Sequence, residues 1–180
     1  MNTEIRSLEF SEYPRFFQYL NAQLEENGKN GNPLFQPVSR KIILLPPEKE
    51  ASFVAGLSKS QGQSGWRCAW VICNEEREIM GHVDLRGHND SAIKHRALLG
   101  MGVSRDFRRQ GLATKLLEFA CGWANENESL EWVDIEVLAV NQPAVALYLK
   151  NGFEKNCEIP DLYRIDDAPE SVIRLAKNIG

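Results

Sequence analysis

Residues 96–125 place a strand-like run, RALLGMGV, directly before the polar loop SRDFRRQG and the segment LATKLLEFACGWAN, where Leu112, Leu116, Phe119, Ala120 and Trp123 recur at helical spacing. A strand, a short turn and an amphipathic helix in immediate succession require a sheet for the helix to cover, which restricts the chain to folds that mix the two. The turn also carries chemistry. It brings the unpaired N–H groups of the helix start and the positive end of the helix dipole to one place, where a phosphate chain can accept several hydrogen bonds at once. Gly111 removes the Cβ that would hold a ligand off the backbone, and Arg108 and Arg109 add positive charge. Gln110, Leu112, Ala113 and Thr114 complete the stretch of amides available to such a group. No Gly-Lys-Ser/Thr follows, so this is not the loop of a P-loop nucleotidase. Taken alone, Arg-x-x-Gly-x-Ala is weak, and a polar turn capping a surface helix is the better reading of it.

The rest of the chain gives an α/β order. Residues 5–10 read as a first strand, and Ser11 as the N-cap of a helix running through Leu20 and Leu24 to the break NGKNGNP at 27–33. Pro46 and Pro47 start a second helix carrying Phe53, Val54 and Leu57, which ends before the flexible QGQSG at 61–65. Residues 66–73 and 78–86 read as a hairpin turning at 74–76, and a loop at 87–91 leads to the strand at 96–103. After the phosphate-loop helix come a strand at 132–137, a helix at 143–151, and strands at 153–159 and 172–176. Antiparallel strands first, then strands joined through helices, predict a mixed, largely antiparallel central sheet with helices on both faces.

At 180 residues with 43% hydrophobic content, the chain can bury one sizeable core, so residues 1–180 are expected to form a single domain. No apolar run is long enough to span a bilayer and the first residues lack the apolar stretch of a secretory signal, so no membrane association and a cytoplasmic location are expected. Cys68, Cys73, Cys121 and Cys157 form no Cys-x-x-Cys pair, and His82, His88 and His95 are scattered, so neither disulfides nor a metal site is expected. A formal charge of −4 argues against nucleic acid as a partner and suits a cationic amine.

Residues 98–153 resemble the Gcn5-related N-acetyltransferase (GNAT) superfamily in the order and spacing of their parts. A strand ending in Gly-x-Gly-Val precedes Arg108-x-x-Gly111-x-Ala113, which is similar to the family's Arg/Gln-x-x-Gly-x-Gly/Ala loop. Downstream of Asn141, the stretch AVALYLKNGF at 144–153 matches the family's Ala-x-x-Leu-Tyr-x-x-x-Gly-Phe. The resemblance implies a cofactor-binding core at about 96–153, acetyl-coenzyme A as acyl donor with no metal, and two central strands splayed apart around the pantetheine arm. It further implies that the amides of Met101, Gly102 and Val103 hold the pantetheine and polarise the thioester carbonyl, and that Asn141 touches the same arm. Read as residues only, the glycines at 100 and 102 also fit a bulge, and Asn141 an N-cap.

An amine attacking a thioester needs a free lone pair, donors for the oxyanion and an acid for the departing thiolate. Tyr148 is the candidate acid: a phenol with a pKa of about 10 stays protonated at neutral pH and can reprotonate a thiolate whose acid has a pKa near 8.5. Many family members carry a glutamate as base in the strand that here reads Ala97-Leu98-Leu99-Gly100, and this chain has none there. Asp84 and Glu136 are the leading substitutes, with His82 beside Asp84, Asp134 beside Glu136, and His95 as further candidates. The sequence thus predicts an N-acetyltransferase acting by direct transfer on a small-molecule, peptide or protein amine, as a monomer or homodimer, with residues 27–64 and the hairpin shaping the acceptor site. The alternative is a non-catalytic acyl-coenzyme A sensor or partner-binding module.

Overall fold

A computed structural model describes residues 3–127 and 129–180. Along the chain it places β1 (Glu4–Ser7), α1 (Tyr13–Leu24), α2 (Pro47–Leu57), β2 (Arg67–Cys73), β3 (Ile79–Gly87) and β4 (Arg96–Val103). There follow α3 (Leu112–Asn125), β5 (Trp132–Leu138), α4 (Gln142–Lys150), β6 (Glu154–Ile165) and β7 (Ala168–Asn178). The described strands form one sheet in the order β1-β2-β3-β4-β5-β7-β6, antiparallel at every junction except β4 with β5.

Period-two alternation sorts the strands' apolar residues onto two faces. Val83 and Leu85 of β3, Ala97 and Leu99 of β4, Val133, Ile135 and Val137 of β5, and Ile173 and Leu175 of β7 share a core with Leu112, Leu116 and Ala120 of α3 and Val145 and Tyr148 of α4. On the opposite face, Ala69, Val71 and Cys73 of β2 receive Phe16, Phe17 and Tyr19 of α1 and Phe53 of α2. Helices therefore cover both faces, as expected.

The junction that matters is β4 with β5. Their parallel register spans only Arg96↔Trp132, Ala97↔Val133 and Leu98↔Asp134. Beyond these pairs each strand continues, β4 against β3 as far as Gly81↔Val103 and β5 against β7 as far as Leu138↔Val172. The two halves of the sheet part while their outer ladders stay closed, which is the splay the sequence resemblance implied.

Three local readings differ from expectation. The first strand ends at Ser7 because Glu9 and Glu12 form a reciprocal capping box around the turn at Phe10–Glu12, so Ser11 lies inside that turn and does not cap α1. Glu12 is anchored by Arg6, whose two terminal nitrogens each donate to its carboxylate at 2.5 Å. The last two strands are much longer than 153–159 and 172–176, forming one extended hairpin. Their alternation is hidden by a register shift between Ile159 and Tyr163, where Asp161 takes a φ of 52°.

The segment between α1 and α2 lies across the parted end of the sheet. Buried Asn27 holds it in shape, its Oδ1 accepting from the N–H groups of Phe35 at 2.8 Å and Gln36 at 2.9 Å. Leu34 packs with Leu138, Ile165 and Val172, and Asp166 at the hairpin tip accepts from the Ser39 hydroxyl at 2.5 Å and the Arg40 N–H at 3.1 Å.

Candidate active site

The loop before α3 folds into a cradle of backbone donors. Arg109 and Gly111 both take left-handed conformations, with φ of 61° and 78°, which turn the chain sharply into the helix. The first intrahelical bond closes only at Lys115, whose N–H donates to Gly111 O at 3.1 Å. Among the described residues nothing accepts from the N–H groups of residues 109–114, so six amides point out of one turn and helix start. A Cβ built on Gly111 meets no protein atom within 4 Å, so the space above this residue is open. The charges are divided unequally. Arg108 turns inward, donating to Val103 O, Asn32 Oδ1 and Glu26 Oε2, each at 3.0 Å, and so ties the loop to the end of β4 and to the α1–α2 segment. Arg109 and Gln110 stay exposed, whereas Leu112 buries its side chain in the core and offers only its amide.

In β4 the register decides which amides reach the gap. Ser104 N–H donates to Met80 O at 2.9 Å, so the backbone groups of even-numbered residues face β3 and those of Met101 and Val103 face the parted side. The Gly102 amide is thus turned away from the gap. What Gly102 supplies is space, because a Cβ there would lie 2.4 Å from Gln23 Oε1 and 3.0 Å from His82 Cε1. Gly100 does the same for Asp84, whose Oδ1 would be 2.6 Å from a Cβ.

Across the gap, Tyr148 is 7% exposed with its ring centroid 6.0 Å from that of Phe153. Its hydroxyl has no protein partner among the described residues, and burial pushes the phenol up to about 12. Asn141 is the N-cap of α4, its Oδ1 accepting from Ala144 N–H at 3.4 Å, which leaves its Nδ2 free to donate.

The carboxylates proposed as bases are all engaged. Asp84 is 3% exposed, with Oδ2 2.5 Å from Arg67 and 3.4 Å from Arg86. Arg67 is held in turn over the Phe53 ring at 4.2 Å. Glu136 lies directly opposite Arg174 on β7 and accepts from it at 2.8 Å on an exposed surface. Asp134 takes both a bidentate contact from Arg96 and the approach of His88 Nε2 at 3.5 Å. His95 sits at the paired end of β4, where its carbonyl accepts from Glu131 N–H, away from the loop before α3.

His82, one of the further candidate bases, meets two residues of α1 that were not singled out from the sequence. The Tyr19 hydroxyl lies 2.9 Å from both Gly102 O and His82 Nδ1, and Gln23 Nε2 is buried beside them without a partner. Burial pushes the His82 imidazole down to about 4 and the Tyr19 phenol well above its usual range. The available signal was the spacing of Phe16, Tyr19 and Gln23 along one face of α1, which reads equally well as core.

Comparison with known proteins agrees with this architecture. The sequence profile described as the acetyltransferase (GNAT) family matches residues 43–153. An N-alpha-acetyltransferase of Sulfolobus acidocaldarius is 27% identical over 119 residues, covering 62% of this chain and 68% of its own length. One from Saccharolobus solfataricus is 34% identical over 65 residues, and the match spans 36% of this chain and 39% of that relative's length. The solved structure of a GNAT-family acetyltransferase from Streptococcus pneumoniae superposes with a TM-score of 0.82 at 23% identity, covering 99% of this chain and all of the other.

Proposed function

The chain belongs to the acetyltransferase (GNAT) family, and from that premise we propose that it transfers the acetyl group of acetyl-coenzyme A to a primary amine by direct attack. The observation that carries the reading is the meeting of two features at one end of the sheet: the gap opened by the short β4–β5 register, and the six unpaired amides at 109–114. The pyrophosphate would sit on the amides of Arg109, Gln110, Gly111, Leu112, Ala113 and Thr114, which need no metal because they already present the positive end of α3. The pantetheine arm would extend into the gap beside Met101 and Val103, with Asn141 Nδ2 as a donor from the other side.

As the amine nitrogen bonds to the carbonyl carbon, the oxygen gains charge that the Met101 and Val103 amides can stabilise. Collapse of that intermediate breaks the C–S bond, and Tyr148 gives its proton to the thiolate. Its raised pKa suits it to remain protonated until that moment. Asp84 and Glu136 each carry an arginine ion pair that accepting the amine's proton would weaken. The names of the two archaeal relatives favour a peptide or protein N-terminal amine as acceptor over a small-molecule amine.

The test is a panel of peptide and small-molecule amines incubated with acetyl-coenzyme A while thiol release is followed, with calorimetry of coenzyme A binding in the presence of a chelator. Metal-independent binding and release with at least one amine are expected. Absence of binding at millimolar ligand would sink the reading.

A further inference from the structure

We propose that His82 accepts the proton of the attacking amine, directly or through one water, and that Tyr19 is the positioning residue that fixes its tautomer. This rests on the acetyl-transfer reading above. The hydrogen bonds set the tautomer. Gly102 O can only accept, so the Tyr19 hydroxyl proton goes to it at 2.9 Å. The phenol oxygen then has only lone pairs to offer His82 Nδ1 at 2.9 Å, so Nδ1 carries the imidazole hydrogen. The neutral ring is left with a bare lone pair on Nε2, which has no protein partner among the described residues.

The ring edge between the two nitrogens adjoins β4. The adjoining Cε1 would be 3.0 Å from a Cβ on Gly102, so the ring rests on the bare backbone of this strand. On this face the parted half of β4 presents only Gly100 and Gly102, and the first polar side chains beyond the gap are therefore His82 and Asp84 of β3. Of these two, Asp84 shares its Oδ2 with Arg67 and Arg86, ion pairs that protonation of the carboxylate would weaken, whereas the His82 lone pair is tied to no cation. The strand that lacks a glutamate thus also lacks the side chains that would screen its neighbour. Gln23 adds a buried amide nitrogen without an acceptor beside the same glycine, a ready donor to a water or substrate oxygen placed there.

The charged and titratable groups around the ring come from three elements: Asp84 on β3, Arg67 on β2 and Tyr19 on α1, with Asp84 favouring and Arg67 opposing an imidazolium. Burial keeps the ring neutral at physiological pH, so the lone pair is present when the amine arrives. In the step itself, the amine nitrogen bonds to the thioester carbon and its proton passes to Nε2. The C–S bond then breaks, and the thiolate takes the Tyr148 proton. The imidazolium releases its proton to solvent, and the tyrosinate recovers one from it.

The test compares His82→Gln and Tyr19→Phe with the parent over pH 6–10, measuring turnover, coenzyme A affinity, melting temperature and the nitrogen NMR shifts of the His82 ring. His82→Gln should lose about 10²- to 10⁴-fold in turnover at pH 7, the range of general base assistance, and recover toward the parent at pH 10 as the acceptor deprotonates unaided. Tyr19→Phe should show a smaller loss of the same pH shape, with the ring spectrum changing from a pure Nδ1–H form to a tautomer mixture. Coenzyme A affinity should be unchanged in both. Parent-like turnover at pH 7, or a loss equal at every pH, overturns the assignment. If His82→Gln fails to fold, the pH profile and ring spectrum of Tyr19→Phe decide. A parent that acetylates no amine overturns the acetyl-transfer reading and this inference together, whereas an active parent with unaffected variants overturns only the role of His82.

Discussion

Replacing Gly111 by glutamate should separate the proposed phosphate site from the fold. Gly111 sits at a φ of 78°, so any side chain there costs about 1–2 kcal/mol of left-handed strain. For a chain of this size that corresponds to a fall in Tm of roughly 2–8 °C. The protein itself offers no clash, since a Cβ at this position finds nothing within 4 Å. Coenzyme A would be affected far more. A carboxylate at the mouth of the 109–114 amides displaces the pyrophosphate from at least two charge-assisted hydrogen bonds of about 1.5–3 kcal/mol each. The sum, about 3–6 kcal/mol, corresponds to a rise in Kd of about 10²- to 10⁴-fold. Gly111→Ala is the control, because it carries the same strain with neither the bulk nor the charge. Calorimetry with coenzyme A and thermal melts on the parent and both variants give the numbers. If Gly111→Glu melts a few degrees lower yet binds coenzyme A within threefold of the parent, the pyrophosphate does not rest on this turn.

Tyr148→Phe keeps the ring that packs on Phe153 and removes only the hydroxyl; turnover should fall by about 10²- to 10⁴-fold with coenzyme A affinity held, as read by steady-state kinetics beside calorimetry. Asp84→Asn and Glu136→Gln should diverge in stability. The first breaks a buried pair with Arg67 and costs about 3–5 kcal/mol, whereas the second breaks an exposed pair worth about 1 kcal/mol or less, so urea denaturation should tell them apart. Burial lowers the His82 pKa from 6.5 to about 4, so between those pH values the unfolded chain holds a proton that the folded chain does not. Stability therefore rises with pH across that window, and acidification from pH 7.5 to pH 4 should remove about 3 kcal/mol through this group alone. His82→Gln should flatten that part of the stability curve, and an unchanged slope in urea melts would mean that His82 is protonated in the folded state.

The cradle was readable because its chemistry is local. A turn needing left-handed backbone, a glycine at 111 and a helix opening directly after it lie within a few residues, and the helix's apolar spacing through Leu116 and Ala120 marks where the free amides begin. The Tyr148 helix was readable for the same reason, its N-cap Asn141 and following proline announcing the start. The final hairpin was less so, because the shift around Asp161 interrupts the alternation on which strand reading depends.

What the sequence determined by itself, then, is the succession of strands and helices and the backbone donors at the start of α3, since both follow from propensity and hydrogen-bond requirements within one turn or one strand. Tertiary structure alone decided the direction in which long side chains spend their charges. Arg108 lies in the loop before α3, yet its guanidinium turns back to Glu26 and Asn32, which are distant in sequence and brought close only by the packing of α1. Asp84 is a free carboxylate in the sequence and an arginine-bound one in the fold. Tyr19, Gln23 and His82 converge on Gly102 because the glycine leaves room between β3, β4 and α1. Such meetings depend on strand register and helix placement across the whole sheet, which no local pattern of residues encodes.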